Sequence, residues 1–280
     1  NSVGQLGEGS TTNRLTPTLV PALSDVKQLA LRESHSCARR NDGTVRCWGL
    51  NSNGQLGDGS TTSRPLPTLV PGLTDVAEIA AGGNVYGFGA GGHSCARRNN
   101  GTVLCWGSGW DGQLGVGAFS ALLSPTILPD LVGVVGLAAG GRHTCAQRSD
   151  GSLICWGANA NGELGLGDTT NRGSPVLVPL LGALQLALGH ASTCVRVTDG
   201  TVRCWGLNDS GQLGDGTTTS RASPTDVPAL AGVSAIALGG AHGCALAPGM
   251  EVICWGANGY GQLGDGSTTN RLTPVSVSWP

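Results

Sequence analysis

Ten cysteines are the residues of this chain whose type and spacing could do chemistry. Each first cysteine is followed by a second one ten residues later, and the pairs are Cys37 with Cys47, Cys95 with Cys105, Cys145 with Cys155, Cys194 with Cys204, and Cys244 with Cys254. Each pair could form a disulfide, remain as two thiols, or supply thiolates to a metal. In four units a histidine two residues before the first cysteine adds a third candidate ligand, at His35, His93, His143 and His242.

The pattern favours disulfides over the two alternatives. Structural zinc needs four ligands and usually a C-x-x-C hook, which is missing here. The fourth unit carries Ser192 at the histidine position and His190 two residues earlier, yet it keeps both cysteines. Disulfides persist in oxidising compartments, so we expect an extracellular or cell-surface protein. The first residues lack the features of a signal peptide, and we expect that the export signal is absent from this chain.

The histidines are poor candidates for catalysis. None has a nucleophile or carboxylate at a matched spacing, and their recurrence predicts an architectural role in which they hydrogen-bond the backbone. The sequence also lacks a G-x-x-x-x-G-K-[ST] loop. We therefore expect no enzymatic activity, no cofactor and no metal.

Charge and hydrophobicity limit the kinds of partner that we expect this chain to bind. The net charge is -2, and the 16 Lys and Arg form no basic run, so we do not expect nucleic acid binding. No apolar stretch is long enough to predict a membrane span. The recurring G-D-G-S-T-T loops have one aspartate each, unlike calcium loops, and predict turns in which the aspartate caps amides and pairs with a following arginine. These arginines are Arg14, Arg64, Arg172, Arg221 and Arg271.

A repeat of about 50 residues must position these side chains. G-Q-L-G-like tetrads begin at Gly4, Gly54, Gly112, Gly162, Gly211 and Gly261. The apolar segments between them are three to five residues long, which predicts strands. In the first Cys unit, the turn at Asn41-Asp42-Gly43 places Cys37 opposite Cys47 in a hairpin. The same register places a small residue opposite the tryptophan of each C-W-G motif.

The units G-x-H-T-C-A-x-x-x-D-G-x-x-x-C-W-G-x-N-x-x-G-Q-L-G resemble the regulator of chromosome condensation repeat over almost the whole chain. The resemblance implies an all-β propeller of four-stranded blades, usually seven. Only five Cys hairpins are present, so we expect five or six blades in a single domain, 1–280. The expected units are a partial repeat at 1–25 and Cys-containing repeats at about 26–75, 76–133, 134–182, 183–232 and 233–280.

Function is expected where the units depart from their own pattern. The second unit contains an insertion at about 83–90 with two aromatic residues, and the following loop adds two more, which together predict a binding patch of Tyr86, Phe88, Trp110 and Phe119. Burial of these residues under the insertion is the alternative. A second departure is Arg32-Glu33, where Gly239-Gly240 stand in the last unit. It favours a solvated ion pair, and the alternative is that it marks an edge blade.

The leading hypothesis is a secreted, non-enzymatic module that binds another protein through its loops. One alternative is a surface or filament subunit that binds copies of itself through its terminal partial repeats, since 4–17 and 261–274 are nearly identical. Another is a lectin-like propeller in which aromatic side chains stack on sugar rings.

Overall fold

Twenty strands form five separate sheets in the computed structural model, which describes residues 1–83, 91–129 and 131–278. The strands are β1 (Val26–Leu31), β2 (His35–Arg40), β3 (Val45–Gly49), β4 (Arg64–Leu69), β5 (Val76–Gly82), β6 (His93–Arg98), β7 (Val103–Gly107), β8 (Leu122–Ile127), β9 (Val134–Ala139), β10 (His143–Arg148), β11 (Leu153–Gly157), β12 (Arg172–Leu177), β13 (Ala183–Leu188), β14 (Ser192–Val197), β15 (Val202–Gly206), β16 (Arg221–Asp226), β17 (Ala235–Leu238), β18 (His242–Leu246), β19 (Val252–Gly256) and β20 (Arg271–Ser276). Two single 3₁₀ turns span Pro228–Leu230 and Pro248–Met250.

Each group of four consecutive strands forms one antiparallel sheet, which we call blades 1 to 5 in chain order. The first strands of neighbouring blades contact one another: β1 with β5, β5 with β9, β9 with β13, and β13 with β17. Their small residues allow this close approach. The predicted all-β, four-stranded blade architecture is confirmed, and the described residues form five such blades.

The hairpin of the second and third strands has the predicted register in every blade. In blade 3, Cys145 lies opposite Cys155 and Thr144 lies opposite Trp156. The turn requires a glycine at Gly151, whose φ is 79°. All five cysteine pairs are joined as disulfides, with a Cα–Cα distance of 4.1 Å in each.

The core consists of four apolar clusters, each lying between two consecutive blades. Between blades 4 and 5, for example, Cys194 and Val202 of blade 4 pack with Ile236, Ala245 and Trp255 of blade 5. The C-W-G tryptophans of blades 2 to 5 are fully buried in these clusters. Burial of such a side chain contributes about 2–3 kcal/mol, so packing between neighbouring blades is a major source of stability.

Candidate binding face

Strand direction places two sets of loops on the same side of the molecule. In each antiparallel blade, the connection from the first to the second strand and the connection from the third to the fourth strand emerge at the same end. In blade 3 these connections are residues 140–142 and 158–171. We call this side the loop face, and we call the side with the hairpin turns and the links between blades the opposite face.

A buried asparagine holds the long loop of blades 1, 3, 4 and 5 in shape. In blade 4 the Asn208 side chain donates to Asp215 Oδ1 and to the carbonyl oxygens of Thr217 and Thr219, at 3.0–3.1 Å. Its own Oδ1 accepts a hydrogen bond from the Leu213 amide at 2.9 Å. Every hydrogen-bonding group of this side chain except one lone pair is therefore used to fold the loop.

The aspartate of the loop pairs with the following arginine, as the sequence predicts. Asp215 accepts hydrogen bonds from the Thr217 amide and from Arg221, whose Nη2 lies 2.9 Å from Oδ2. Burial acts to raise the pKa of Asp215, but the hydrogen bonds from Thr217, Arg221 and Asn208 outweigh it and lower the pKa. Equivalent acid–arginine pairs are Glu8 with Arg14, Asp58 with Arg64, Asp168 with Arg172, and Asp265 with Arg271.

No group of three or more His, Cys, Asp or Glu side chains in residues 1–83, 91–129 and 131–278 is arranged to hold a metal ion. The aspartates of the loops are instead engaged by amides, hydroxyls and arginines.

Blade 2 lacks this framework. Gly109, Val116 and Leu122 stand at the positions of Asn208, Asp215 and Arg221 of blade 4. Trp110 is 57% exposed, and its Nε1 lies 3.4 Å from Asn53 Oδ1 on the loop of blade 1. The loop therefore presents an indole where Ser52, Ala160, Asp209 and Gly259 stand in the other blades.

The predicted aromatic patch is only partly assembled. Phe119 is also half exposed, but its ring lies against Gly173 at the start of β12 in blade 3, whereas Trp110 contacts blade 1. The two side chains share the loop face but lean toward opposite neighbours. Tyr86 and Phe88 lie outside the described residues.

Arg32 is not the solvated ion-pair residue that the sequence predicts. Its side chain leaves blade 1 and donates to two backbone carbonyls, from Nε to Ala81 O of blade 2 at 2.8 Å and from Nη2 to Ala139 O of blade 3. Burial lowers its pKa. Arg32 can make these bonds because the carbonyls at the ends of successive inner strands converge, which sequence separation does not reveal.

A polar surface around His190 was also missed from the sequence. A cleft of about 290 Å³ is lined by Asp111, Arg142, Asn161, Glu163 and His190, among others. Arg142 Nη1 lies 3.6 Å from Asp111 Oδ2 across this cleft. The sequence gives one indication of this surface. His190 and Arg142 lie in the short connections between the first and second strands of a blade, where the other blades have mostly glycine and alanine.

His190 also lines a second cleft of about 390 Å³, together with Glu33, Asp209, His242 and Gln262. Its ring packs where a Cβ on Gly141 would lie, 2.6 Å from His190 Cδ2, so the glycine makes room for it. Burial lowers the pKa of His190. The loop face therefore combines an exposed indole with a charged, recessed surface near the inner strands.

Three of the other histidines, in blades 1 to 3, join neighbouring blades through a side-chain hydroxyl, where the sequence predicts a backbone partner. Nε2 of each lies within hydrogen-bond distance of a hydroxyl on the next blade: His35 to Ser94 at 3.1 Å, His93 to Thr144 at 2.9 Å, and His143 to Thr193 at 2.9 Å. The Thr144 hydroxyl donates onward to the carbonyl of Gln113, so it accepts from Nε2–H of His93.

The Gln113 carbonyl also binds a second residue of the next blade. Gln113 O also accepts a hydrogen bond from Trp156 Nε1 at 2.9 Å. We call this four-part arrangement the joint: a histidine and a loop carbonyl from one blade, and a hydroxyl and a tryptophan from the next. Burial lowers the pKa of His93 and of His143 to about 3, and these rings are therefore neutral.

The joint between blades 4 and 5 lacks two of its four parts, the histidine and the hydroxyl. Ser192 stands at the histidine position of blade 4, and Gly243 stands at the hydroxyl position of blade 5. The remaining bond, from Trp255 Nε1 to Gln212 O, is kept at 2.9 Å. A Cβ at Gly243 would come within 2.5 Å of the Trp255 ring, so this joint is closed by packing in place of the hydroxyl.

The fold and the loop face define a β-propeller scaffold that presents variable loops on rigid blades. In the described residues, no helix has the length and apolar character needed to cross a membrane. The family model of the RCC1-like domain matches residues 1–280, and the chain belongs to this family.

Solved structures share the fold. Human WBSCR16 is 28% identical, with a TM-score of 0.85 over 100% of this chain and 76% of that chain. Yeast RCC1 (Prp20), solved bound to Kap60, is 21% identical, with a TM-score of 0.85 over 100% of this chain and 69% of that chain. The ectodomain of the receptor kinase CR4 from Physcomitrella patens is 25% identical, with a TM-score of 0.51 over 88% of this chain and 55% of that chain.

Proposed function

We propose that this chain is a non-enzymatic, extracellular protein-binding module whose loop face is the binding surface. The observation that carries the proposal is that departures from the repeat gather on one face: Trp110, Tyr260, Arg142, His190 and Glu33 all lie in loop-face connections. Residues that keep the repeat pattern build the joints and the core, whereas these departing residues lie on the loop face, where a partner can contact them.

The chemistry of this face suits a protein partner. Trp110 and Tyr260 are exposed aromatic side chains, and aromatic and arginine residues are enriched among the residues that dominate binding energy. The charged cleft beside them would add orientation and specificity. In the loop of Tyr260, the framework of Asn258, Asp265 and Arg271 keeps the loop ordered before binding, which lowers the entropic cost of association.

Two observations support a location outside the cell. All ten cysteines are joined in pairs and buried or nearly so, which is the state that an oxidising compartment maintains. The similarity to a receptor kinase ectodomain shows that a related propeller occurs in an extracellular region. We therefore propose that the chain works outside the cell or at its surface.

The test compares two pairs of exposed residues on opposite faces. A partner is first captured from the native extracellular fluid with the wild-type chain and purified. We then expect Trp110→Ala combined with Tyr260→Ala to weaken the affinity for this purified partner at least tenfold. The matched control is Val132→Ala with Leu181→Ala, two residues on the opposite face that are more than 70% exposed. Equal affinity for the wild type and the loop-face variant, or loss only in the control, would reject the proposed surface.

Binding of a glycan in place of a protein would favour the lectin alternative. A glycan array distinguishes the lectin from the protein-binding module. A lectin would bind sugars on the array directly, by stacking them on the exposed indole or phenol, without any protein partner. We expect no glycan on the array to bind in a Trp110-dependent manner.

A further inference from the structure

A cleft of about 350 Å³ lies at the boundary between blades 2 and 3, beside the fourth strand of blade 3. The long loop of blade 2 reaches along that strand, because the Gly117 amide donates to Gly173 O at 2.8 Å. We call this site the flank cleft, and its lining includes Val116, Leu131, Ile154, Pro175, Leu177 and Arg148. Blades 1 and 4 lie on either side in the chain, so the flank cleft does not depend on where the sequence begins or ends.

The loop of blade 2 makes one wall of the flank cleft apolar. Val116 stands at the position of Asp58 in blade 1 and Asp215 in blade 4, whose carboxylates pair with arginines. Leu177, on β12, is 58% exposed although its side chain is aliphatic. Among the described residues of the lining, only Arg148 carries a charge. The flank cleft therefore offers apolar walls and one positive group.

Arginines at the position of Arg148 form ion pairs in blades 1 and 2. In blades 1 to 3 this arginine ends the second strand and lies opposite the first valine of the first strand. The residue before that valine is an aspartate in blades 1 and 2. The nitrogen-to-oxygen distances are 3.7 Å for Arg40 with Asp25 and 3.2 Å for Arg98 with Asp75.

Blade 3 keeps the arginine but not the aspartate, because Gly133 stands at the aspartate position. Nε of Arg148 is buried and has no hydrogen-bond partner in the described part of the chain. The nearby Asp150 is held by Ser152, whose amide donates to Oδ1 at 2.9 Å. Hydrogen bonds from Ser152 are the main cause of the lowered pKa of Asp150, and the charge of Arg148 contributes less. Within residues 1–83, 91–129 and 131–278, Arg148 forms no ion pair like those of Arg40 and Arg98.

A ligand with a carboxylate would supply the missing partner. A buried donor without an acceptor costs free energy in the folded state, and a carboxylate accepts strong, charge-assisted hydrogen bonds from a guanidinium group. An aliphatic group on the same ligand would cover the apolar walls of the flank cleft. In an extended peptide, side chains two positions apart face the same way, so one aliphatic and one acidic side chain at that spacing can enter together.

We propose that the flank cleft binds an extended peptide segment of a partner protein in which an aliphatic residue stands two positions from an aspartate or glutamate. The carboxylate pairs with Arg148, as Asp25 pairs with Arg40 in blade 1. The aliphatic side chain packs against Val116 and Leu177. The flank cleft includes neither Trp110 nor Tyr260, so this interaction does not rest on the function proposed for the loop face.

The test uses Gly133→Asp, which gives Arg148 the internal partner found in blades 1 and 2. Asp25 adopts a φ of 55° at this position in blade 1, close to the 72° of Gly133, and the nearest atom to a Cβ at Gly133 lies at 3.5 Å. A phage-displayed library of random peptides is depleted on this variant and then selected on the wild-type chain. We expect the enriched peptides to share an aliphatic residue two positions from an acidic one.

Affinities are then measured with one enriched peptide, synthesised with a fluorescent label, by fluorescence anisotropy. Arg148→Ala and Gly133→Asp should each weaken binding about tenfold, as should replacing the peptide's acidic residue by its amide. The matched control is Arg98→Ala, at the same strand position in blade 2, and it should bind like the wild type. Trp110→Ala with Tyr260→Ala should also bind normally, which separates this site from the loop face.

Melting temperatures close to the wild-type value would show that the variants are folded, and depletion on Arg148→Ala replaces the first step if Gly133→Asp does not fold. The proposal would be overturned if no peptide is enriched, or if the enriched peptides lack an acidic residue. Equal affinity of the wild type and Arg148→Ala would also overturn it. Free hexanoate that binds as tightly as the peptide would show that the cleft takes a small carboxylic acid instead.

Discussion

Single buried histidines make the stability of this molecule depend on pH. His35, His93 and His143 have pKa values lowered by burial to about 4, 3 and 3, from 6.5 in the unfolded chain. The unfolded state therefore binds a proton that the folded state excludes. The contribution of these groups is fully present above about pH 6.5 and is lost as the pH falls toward the folded pKa values.

We expect the free energy of unfolding to fall between pH 6 and pH 4 by about 1.4 kcal/mol per pH unit for each such histidine. His93→Gln keeps a side-chain N–H donor but cannot titrate. It should therefore reduce the slope of the free energy of unfolding against pH by the contribution of one histidine, measured by urea titrations at several pH values. His242→Gln, at a half-buried ring, is the control and should change the slope less. An unchanged slope in His93→Gln would show that the buried ring does not exclude the proton.

The residue scale also shows where sequence reasoning stops. The pairing of Cys145 with Cys155 and of Asp215 with Arg221 follows from short spacings, and the structure has both. His93 and Thr144 are 51 residues apart and meet only because two blades pack together, so the sequence did not reveal that bond. Arg32 was misread for the same reason, since its carbonyl partners belong to two other blades.

At the scale of elements, the joint couples blades that the disulfides do not connect. Each disulfide lies within one hairpin and stabilises that blade by about 2–3 kcal/mol in the chain-entropy model. The hydrogen bonds of His93, Thr144, Gln113 and Trp156 cross from one blade to the next. Loss of a hydroxyl at this position should therefore weaken the contact between blades and leave the hairpin intact.

We expect Thr144→Val to destabilise the protein by about 1–3 kcal/mol, because the shape is kept while His93 loses its acceptor in a buried site. Chemical denaturation measures the change, and Thr218→Val at an exposed loop position is the matched control, with an expected change below about 0.5 kcal/mol. A Thr144→Val protein as stable as the control would show that the joint contributes packing alone.

Elements were the level at which the sequence was most informative. The 50-residue period, the glycine turn at Gly43 and the small residue opposite each C-W-G tryptophan together predict the hairpin that every blade contains. The loops were harder to predict, because Trp110 and Phe119 share one loop but contact blades on opposite sides. Their directions depend on the neighbouring blades and not on their spacing.

At the scale of the whole molecule, the five blades share one strand order and one disulfide position, and their boundaries share most of their contacts. Stability in such an array is approximately the sum of the blades and their boundaries. The disulfides strengthen each blade separately, which suits the location outside the cell that we propose. The binding surface then needs no rearrangement of the scaffold, because its residues lie on loops held by local hydrogen bonds.

Peptide mapping by mass spectrometry of unreduced protein, alkylated at once on isolation from the native extracellular material, tests the central claim most directly. We expect all ten cysteines to be unalkylated and to occur in five linked pairs, each joining residues ten positions apart. Alkylated thiols in most pairs, or links between different blades, would contradict the disulfide-stapled extracellular propeller.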